Sequence, residues 1–281
     1  MLKIDIAVAI NRSRRKWTNK KMLWSDLASE LLTTTRTKET LREYLAASKK
    51  VQSDIKDIGG FVGGYLNDGV RAKSSVRHRQ LVTLDIDQCK IPMEELLEQV
   101  LDKVPYELVI YSTHKHKNEA PRIRLVIPLD RPVSPDEYEA IARSIAGELN
   151  IDLFDPTTFQ PSRMMFWPST SSDGDFFSYH EEFAQLCSPD AILDTYVDWR
   201  DISAWPRLST EDIAIIQESK SAGDPREKDG LVGAFCRAYT TVEAIEAFLE
   251  NVYEYDGRGR YTYLDGSSAS GGIPYNGDLF F

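Results

Sequence analysis

From Leu81 to Leu149 the chain alternates extended and helical patterns, and this rhythm limits it to a sheet with helices packed on it. LVTLDID (81–87) reads as an apolar strand, PMEELLEQVLDKV (92–104) as an amphipathic helix, and YELVIYSTH (106–114) and RIRLVIPL (122–129) as two more strands. The next helix start is the clearest in the chain. In SPDE, Ser134 is placed to be the N-cap, Pro135 sits at the first helical position and Glu137 completes a capping box ahead of DEYEAIARSIAGEL. A mixed α/β core over about residues 81–180 follows from this pattern.

The strand ends carry the chemistry. Side chains at i and i+2 of a strand leave the same face, with backbones about 6.6–6.8 Å apart. Asp85 and Asp87 are so spaced, and paired carboxylates at a strand end suit hard divalent cations and the phosphates they accompany. Ser112 and His114 repeat the spacing with a hydroxyl and an imidazole. Arg122 and Arg124 repeat it with guanidinium groups, whose planar forks of donors match phosphate oxygens. In IDLFDPTTFQPSRMMFWP, Asp155 offers a third acid, with Asp152 as the alternative, and Arg163 follows eight residues after Asp155.

Charge is distributed unevenly. The net charge is -10 overall, yet residues 1–80 hold 17 Lys and Arg against 8 Asp and Glu, a net of +9. One surface built to meet a polyanion, on a protein otherwise kept soluble by acids, explains such a distribution. Within it, RSRRKWTNKK (12–21) has six basic residues in ten, including Arg12, Arg14, Arg15 and Lys16 around Trp17. Helical patterns at WSDLASELL and KETLREYLAA, with Ser25 and Thr40 as polar residues able to cap or interrupt them, suggest a small helical N-terminal lobe. GGFVGGYLNDG (59–69) has five glycines in eleven residues, reads as a tight turn or a close backbone approach, and does not match the phosphate-loop pattern G-x-x-x-x-G-K-[ST].

At 281 residues and 42% apolar content the chain is long enough for a sizeable core. No run of about 18 apolar residues is present, and no signal-peptide pattern, so no membrane partner and a cytoplasmic location are expected. Cys89, Cys187 and Cys236 are far apart without C-x-x-C spacing, giving neither a zinc site nor a disulfide framework. Past Pro189 the composition turns acidic and helical, in TEDIAIIQES and TTVEAIEAFLE, with Gly230 and Gly233 interrupting the segment between them. Asp265 and Gly266 give a hairpin pattern, and the three apolar residues at the end suggest a chain that continues.

Order and spacing add what single motifs lack. D-x-D, then S-x-H, then an apolar residue with Asp resembles the three motifs of the archaeo-eukaryotic primase (primase-polymerase) superfamily. The phrases GGFVGGYL, HRQLVTLDID, YSTHKHKNEAPRIRLVIPLDRP, DPTTFQPSRMMFWPS and DPREKDGLVGAFCRAY resemble its phage and prophage branch, the N-terminal primase portion of virulence-associated E-type proteins. Many relatives carry D-x-E where this chain has Asp85 and Asp87.

The resemblance implies an α+β fold with a mixed sheet, an RRM-like half, an N-terminal α/β lobe and a C-terminal helical appendage. Residues 1–188 would be catalytic (1–80 the basic lobe, 81–188 the core) and 189–281 accessory, leading to a helicase-type region. It implies a DNA primase-polymerase that makes primers on single-stranded DNA from NTPs or dNTPs, working with a replicative helicase. Asp85, Asp87 and Asp155 would hold two Mg²⁺ or Mn²⁺ ions. Ser112, His114 and Arg163, with Arg122 or Arg124, would contact the triphosphate, and Arg12, Arg14, Arg15 and Lys16 the template. Three other readings fit fewer residues: a D-x-D glycosyltransferase, a nicking replication initiator using His114 and His116, and a non-catalytic nucleic-acid-binding module.

Overall fold

The computed structural model describes residues 2–212, 226, 230–264, 272–275 and 279–280. The chain divides into two compact units, residues 1–195 and 196–281. In the first, the elements run β1 (Lys3–Ala9), β2 (Thr18–Leu23), α1 (Trp24–Leu31), β3 (Thr35–Arg36), α2 (Leu41–Ala46), α3 (Lys49–Ile55), β4 (Gly60–Val62) and β5 (Gly64–Leu66). They continue with β6 (Val76–Ile86), α4 (Met93–Lys103), β7 (Leu108–Ser112), β8 (Ile123–Val133), α5 (Pro135–Leu149), β9 (Met165–Phe166), β10 (Ser169–Thr170), β11 (Ser178–Glu181) and α6 (Pro189–Leu193).

Two antiparallel sheets organise the unit, one in the order β2-β1-β4-β9 and the other β11-β7-β8-β6-β5. β6 and β7 both run antiparallel to β8, which lies between them, so β6-α4-β7 is a split βαβ unit. Alternation sorts the strands' side chains. Leu81, Val109, Tyr111 and Val126 pack with Ile4, Ile6, Phe61 and Met165 of the other sheet and with Trp24, Leu27 and Leu31 of α1. On the opposite face, Val82, Leu84, Ile110, Leu125 and Ile127 are also buried, and α5 packs against β6. The capping box at Ser134 and Glu137 is formed, with Pro135 opening the helix. Thr40 and Glu43 form a second one on α2, whereas Ser25 lies inside α1, where its hydroxyl caps nothing.

The N-terminal third is not simply a helical lobe, since β1, β2 and β4 supply most of one sheet and β5 and the start of β6 belong to the other. The glycine-rich segment is where the chain passes between sheets, with only Gly63 separating β4 from β5. A Cβ on Gly60 would lie 2.2 Å from the Met165 carbonyl oxygen, and one on Gly64 2.0 Å from that of His78. The close approach is therefore to the protein's own backbone. Arg79, part of a basic-looking stretch, is fully buried beside this junction, donating to the carbonyls of Gly63, Pro161 and Leu81 and to Thr83 Oγ1.

In the second unit, α7 (Gly230–Ala238) and α8 (Thr241–Phe248) bring Phe235, Tyr239 and Phe248 together, and β12 (Tyr253–Tyr255) pairs with β13 (Tyr261–Tyr263). Gly230 starts α7 with a φ of +76° and Gly233 is buried within it, so neither breaks the helix. The hairpin expected at Asp265 and Gly266 and most of the helix expected over 210–219 lie outside the described residues. Among the described residues no helix is long and apolar enough to cross a membrane, and Cys89, Cys187 and Cys236 are all free.

Candidate active site

A row across the second sheet creates the site. Asp85 on β6 stands directly opposite Arg124 on β8, which stands opposite Tyr111 on β7. Cross-strand partners share a face, so Nε and one Nη of Arg124 both reach Asp85 Oδ2 at 3.3 Å while the guanidinium lies over the Tyr111 ring. Both members of the pair are buried. Burial opposes the Arg124 charge, but Asp85 and Tyr111 outweigh it and hold the group more firmly protonated than an ordinary arginine.

Asp87 lies just past the end of β6, its amide bonded to the Leu153 carbonyl at 3.1 Å and its carboxylate 3.3 Å from Arg122. An isolated bridge between Ile86 and Phe154 brings in the third acid, whose amide donates to the Asp85 carbonyl at 2.9 Å. That acid is Asp155, not Asp152, which is exposed and off the cavity wall. Asp155 accepts from the amide and hydroxyl of Thr157 at 2.8 and 2.7 Å and pairs with Arg163 at 2.6 Å.

The three carboxylates thus carry one arginine each, and Asp87 and Asp155 are shifted in opposite directions. Burial, with the charges of Asp85 and Asp155, raises Asp87 above the usual aspartate range against the pull of Arg122. Burial also acts to raise Asp155, but Thr157, Arg163 and Arg124 overcome it and hold this carboxyl low.

These groups line one cavity of about 350 Å³, within the span of small-molecule sites. Arg12, Lys56, Arg71, Lys115, Arg122, Arg124 and Arg163 face it against Asp85, Asp87 and Asp155, seven cations to three carboxylates, a net of +4. The excess is felt. Burial and neighbouring cations depress Lys56, Arg71 and Lys115, a strain that an anion in the cavity would relieve. No sequence motif singles out Lys56, Arg71 and Lys115 for this cavity. They come from a helix end, a loop and a turn, which no strand periodicity marks.

The Ser/His motif is arranged differently from the pattern expected. β7 ends at Ser112, so the two-residue period stops there. Ser112 is buried off the cavity, its Oγ accepting from the Phe177 amide at 3.0 Å. His114 does line the cavity, with Nδ1 3.0 Å from Ser169 Oγ and Nε2 3.0 Å from Glu39, under the Tyr44 ring. Burial lowers its pKa in spite of Glu39. His116 is turned into its own loop, toward Asn118 and the Arg122 amide.

The four basic N-terminal residues separate. Arg12 reaches the cavity and is tied to Ser53 and Asp54, while Arg14, Arg15 and Lys16 line a neighbouring groove of about 1000 Å³. Trp17 is a core residue, buried among Ala7, Val62 and Leu66 with its indole donating to the Arg14 carbonyl. A different tryptophan, Trp167, is half-buried and lines both the cavity and the groove.

The acids suit Mg²⁺ or Mn²⁺ in kind, being hard oxygen donors on one wall. They do not form a cage, since among the described residues no three His, Cys, Asp or Glu side chains converge on a single ion position. Mg²⁺ is characteristically held by one or two carboxylates together with substrate phosphates. The residues present therefore fit a cation that shares its coordination with a phosphate ligand.

Among solved structures, the chain is similar to the AEP domain of the Cyanophage S-2L primase-polymerase, at 13% identity over 68% of this chain and 88% of that one, with a TM-score of 0.40. It is also similar to the primase RepB′, at 11% identity over 89% of this chain and 72% of that one, with a TM-score of 0.34. No curated protein matches the sequence. The family model described as VapE N-terminal domain matches residues 2–208, which contain every side chain of the cavity and the groove, and the chain belongs to that family.

Proposed function

We propose that the cavity is a nucleotidyl-transfer site and that the chain synthesises primers on single-stranded DNA from nucleoside triphosphates, in phage or mobile-element replication alongside a replicative helicase. The observation that carries the reading is the cavity wall itself, three carboxylates each paired with an arginine within a surplus of +4. A nucleoside triphosphate brings about four negative charges on one polyphosphate chain, opposite in sign to that surplus and of the same size. The order and spacing of the D-x-D, S-x-H and Asp155 motifs support the same chemistry.

Arg122, Arg163 and Lys56 bind and orient the phosphates, Arg124 holds Asp85 in place from the sheet, and His114, fixed by Glu39 and Ser169, closes the wall. Mg²⁺ or Mn²⁺ held by Asp85, Asp87 and Asp155 together with the phosphates would neutralise charge on the transferring group and favour ionisation of the attacking hydroxyl. Positioning and charge neutralisation do most of the work in such transfers. The second unit is read as an accessory domain.

The test is incorporation of labelled NTP or dNTP on single-stranded DNA with each metal. Asp87→Ala is the preferred variant, because Asp85→Ala would leave Arg124 charged and buried without its partner. Loss of incorporation by at least 100-fold in a folded Asp87→Ala protein is expected, and wild-type synthesis by that variant would overturn the assignment. Salt-sensitive DNA binding with no incorporation under either metal would favour the non-catalytic binding module instead.

A further inference from the structure

We propose that Trp167 is a stacking platform for a base of single-stranded nucleic acid, at the point where the Arg14–Lys20 groove opens into the charged cavity. The proposal rests on the nucleotidyl-transfer reading of that cavity and adds how the strand is gripped. Among the described residues Trp167 is the one that lines both hollows. Its ring packs against Phe61 at a centroid separation of 4.9 Å and 31° between planes, and Phe61 is fully buried in the core. The backbone amide of Trp167 is fixed on the Gly59 carbonyl at 3.1 Å. The indole is thus held from behind and half-open in front, already ordered before anything binds. An aromatic so mounted offers its second face to a ligand ring at little entropic cost.

The groove beside it supplies the rest of a strand-binding surface. Arg14, Arg15, Lys16 and Lys20 line it against a single acid, Glu30. All four cations are exposed, and they make no ion pair among the described residues. Ile10, 68% exposed in the same groove, adds an apolar surface that the fold does not use. Free cations in one groove, with an aromatic platform that the groove shares with the cavity, are what a single strand requires, because phosphates take the charge and unpaired bases take the π-face. An acidic peptide would use the cations and leave the platform idle.

The experiment compares two probes on the full chain: oligothymidylate of about 16 nucleotides, and an abasic strand of equal length and charge. Wild type is expected to bind oligothymidylate more tightly. Trp167→Ala should weaken oligothymidylate binding about 10-fold and leave abasic binding within twofold. Trp167→Phe should keep most of the preference. Trp167→Leu, which preserves apolar packing on Phe61, should lose it, and this variant stands in if the alanine protein melts early. Arg14→Glu with Arg15→Glu should weaken both probes and reduce the salt slope by about 1.4. Equal losses on both probes in Trp167→Leu, or no loss on either, would overturn the proposal and leave Trp167 as packing alone. Nucleotide incorporation in a wild type that shows no preference for bases would overturn it too, while leaving the nucleotidyl-transfer reading intact.

Discussion

Arg79→Met tests how the site is scaffolded. The guanidinium is wholly buried with no ion-pair partner among the described residues, and it makes four hydrogen bonds while lying 3.9 Å from the centre of the Tyr138 ring. Two acceptors keep other partners after the change. The Gly63 carbonyl still receives the amides of Gln80 and Leu81, and Thr83 Oγ1 still lies 3.4 Å from the Tyr138 hydroxyl. The carbonyls of Pro161 and Leu81 lose the arginine donor, and Pro128, opposite Leu81 on β8, has no N–H to replace it. Two buried carbonyls so orphaned cost about 2–6 kcal/mol. Burial already depresses the Arg79 pKa, so removing a desolvated charge returns part of that, and a net loss of about 3 kcal/mol is expected. For a cooperative unit of this size the midpoint should fall by about 6–12 °C. Thermal and urea unfolding followed by circular dichroism provide the measurement. A midpoint within about 2 °C of wild type would refute the reasoning, because it would mean the four bonds are replaced by solvent or were never worth making. Pro161 lies two residues before Arg163, so the same variant should loosen the Asp155–Arg163 pair and weaken nucleotide binding even where the protein stays folded.

Metal binding should depend on nucleotide, since each carboxylate is occupied by an arginine in the free protein. Mn²⁺ affinity measured by electron paramagnetic resonance should rise at least 10-fold when a non-hydrolysable triphosphate is present, and equal affinity with and without it would show that the arginines do not compete. The raised pKa of Asp87 sets a pH dependence. A carboxyl raised in the folded state contributes stability that is complete below its unfolded pKa, about 3.9 for aspartate, and is lost as pH rises through the folded value. Asp87→Asn should therefore melt above wild type at pH 7, with the gap closing as pH falls toward the aspartate range, and an unchanged gap at every pH would count against burial and the neighbouring carboxylates as the origin of the shift.

The core was legible because its elements obey one period at a time. The Ser134 capping box marks the start of α5, and the strand patterns over 106–114 and 122–129 begin within two residues of β7 and β8. Where elements were missed, polar residues hid them. β6 begins at Val76 rather than Leu81 because His78, Arg79 and Gln80 are satisfied inside the fold, by Asp5, by carbonyls, and by Lys3 and the Asp5 amide. β4 and β5 are three residues each and divided by a single glycine, too short for alternation to register. Their pairing is decided by the close approach that Gly60 and Gly64 permit, a tertiary fact.

For the site, periodicity was informative only as far as the strands last. Asp85 and Arg124 meet because both lie inside strands and face each other across the ladder, so one sheet row converts two sequence patterns into one ion pair. Ser112 and His114 share the same spacing, yet the strand ends between them and sends the hydroxyl to Phe177 and the imidazole to Glu39. The two tryptophans show the limit from the other side. Trp17 sits amid the densest positive charge, but in a strand-to-strand connection whose apolar residue is needed to close the core over Val62 and Leu66. Trp167 has no basic neighbour in sequence and reaches the basic groove only because β9 pairs with β4, and β4 with β1, which leads into the Arg12–Lys16 loop. An aromatic that serves a charged groove is therefore identified by which strands pair, and sequence proximity to the charge selects the residue that the core has already taken.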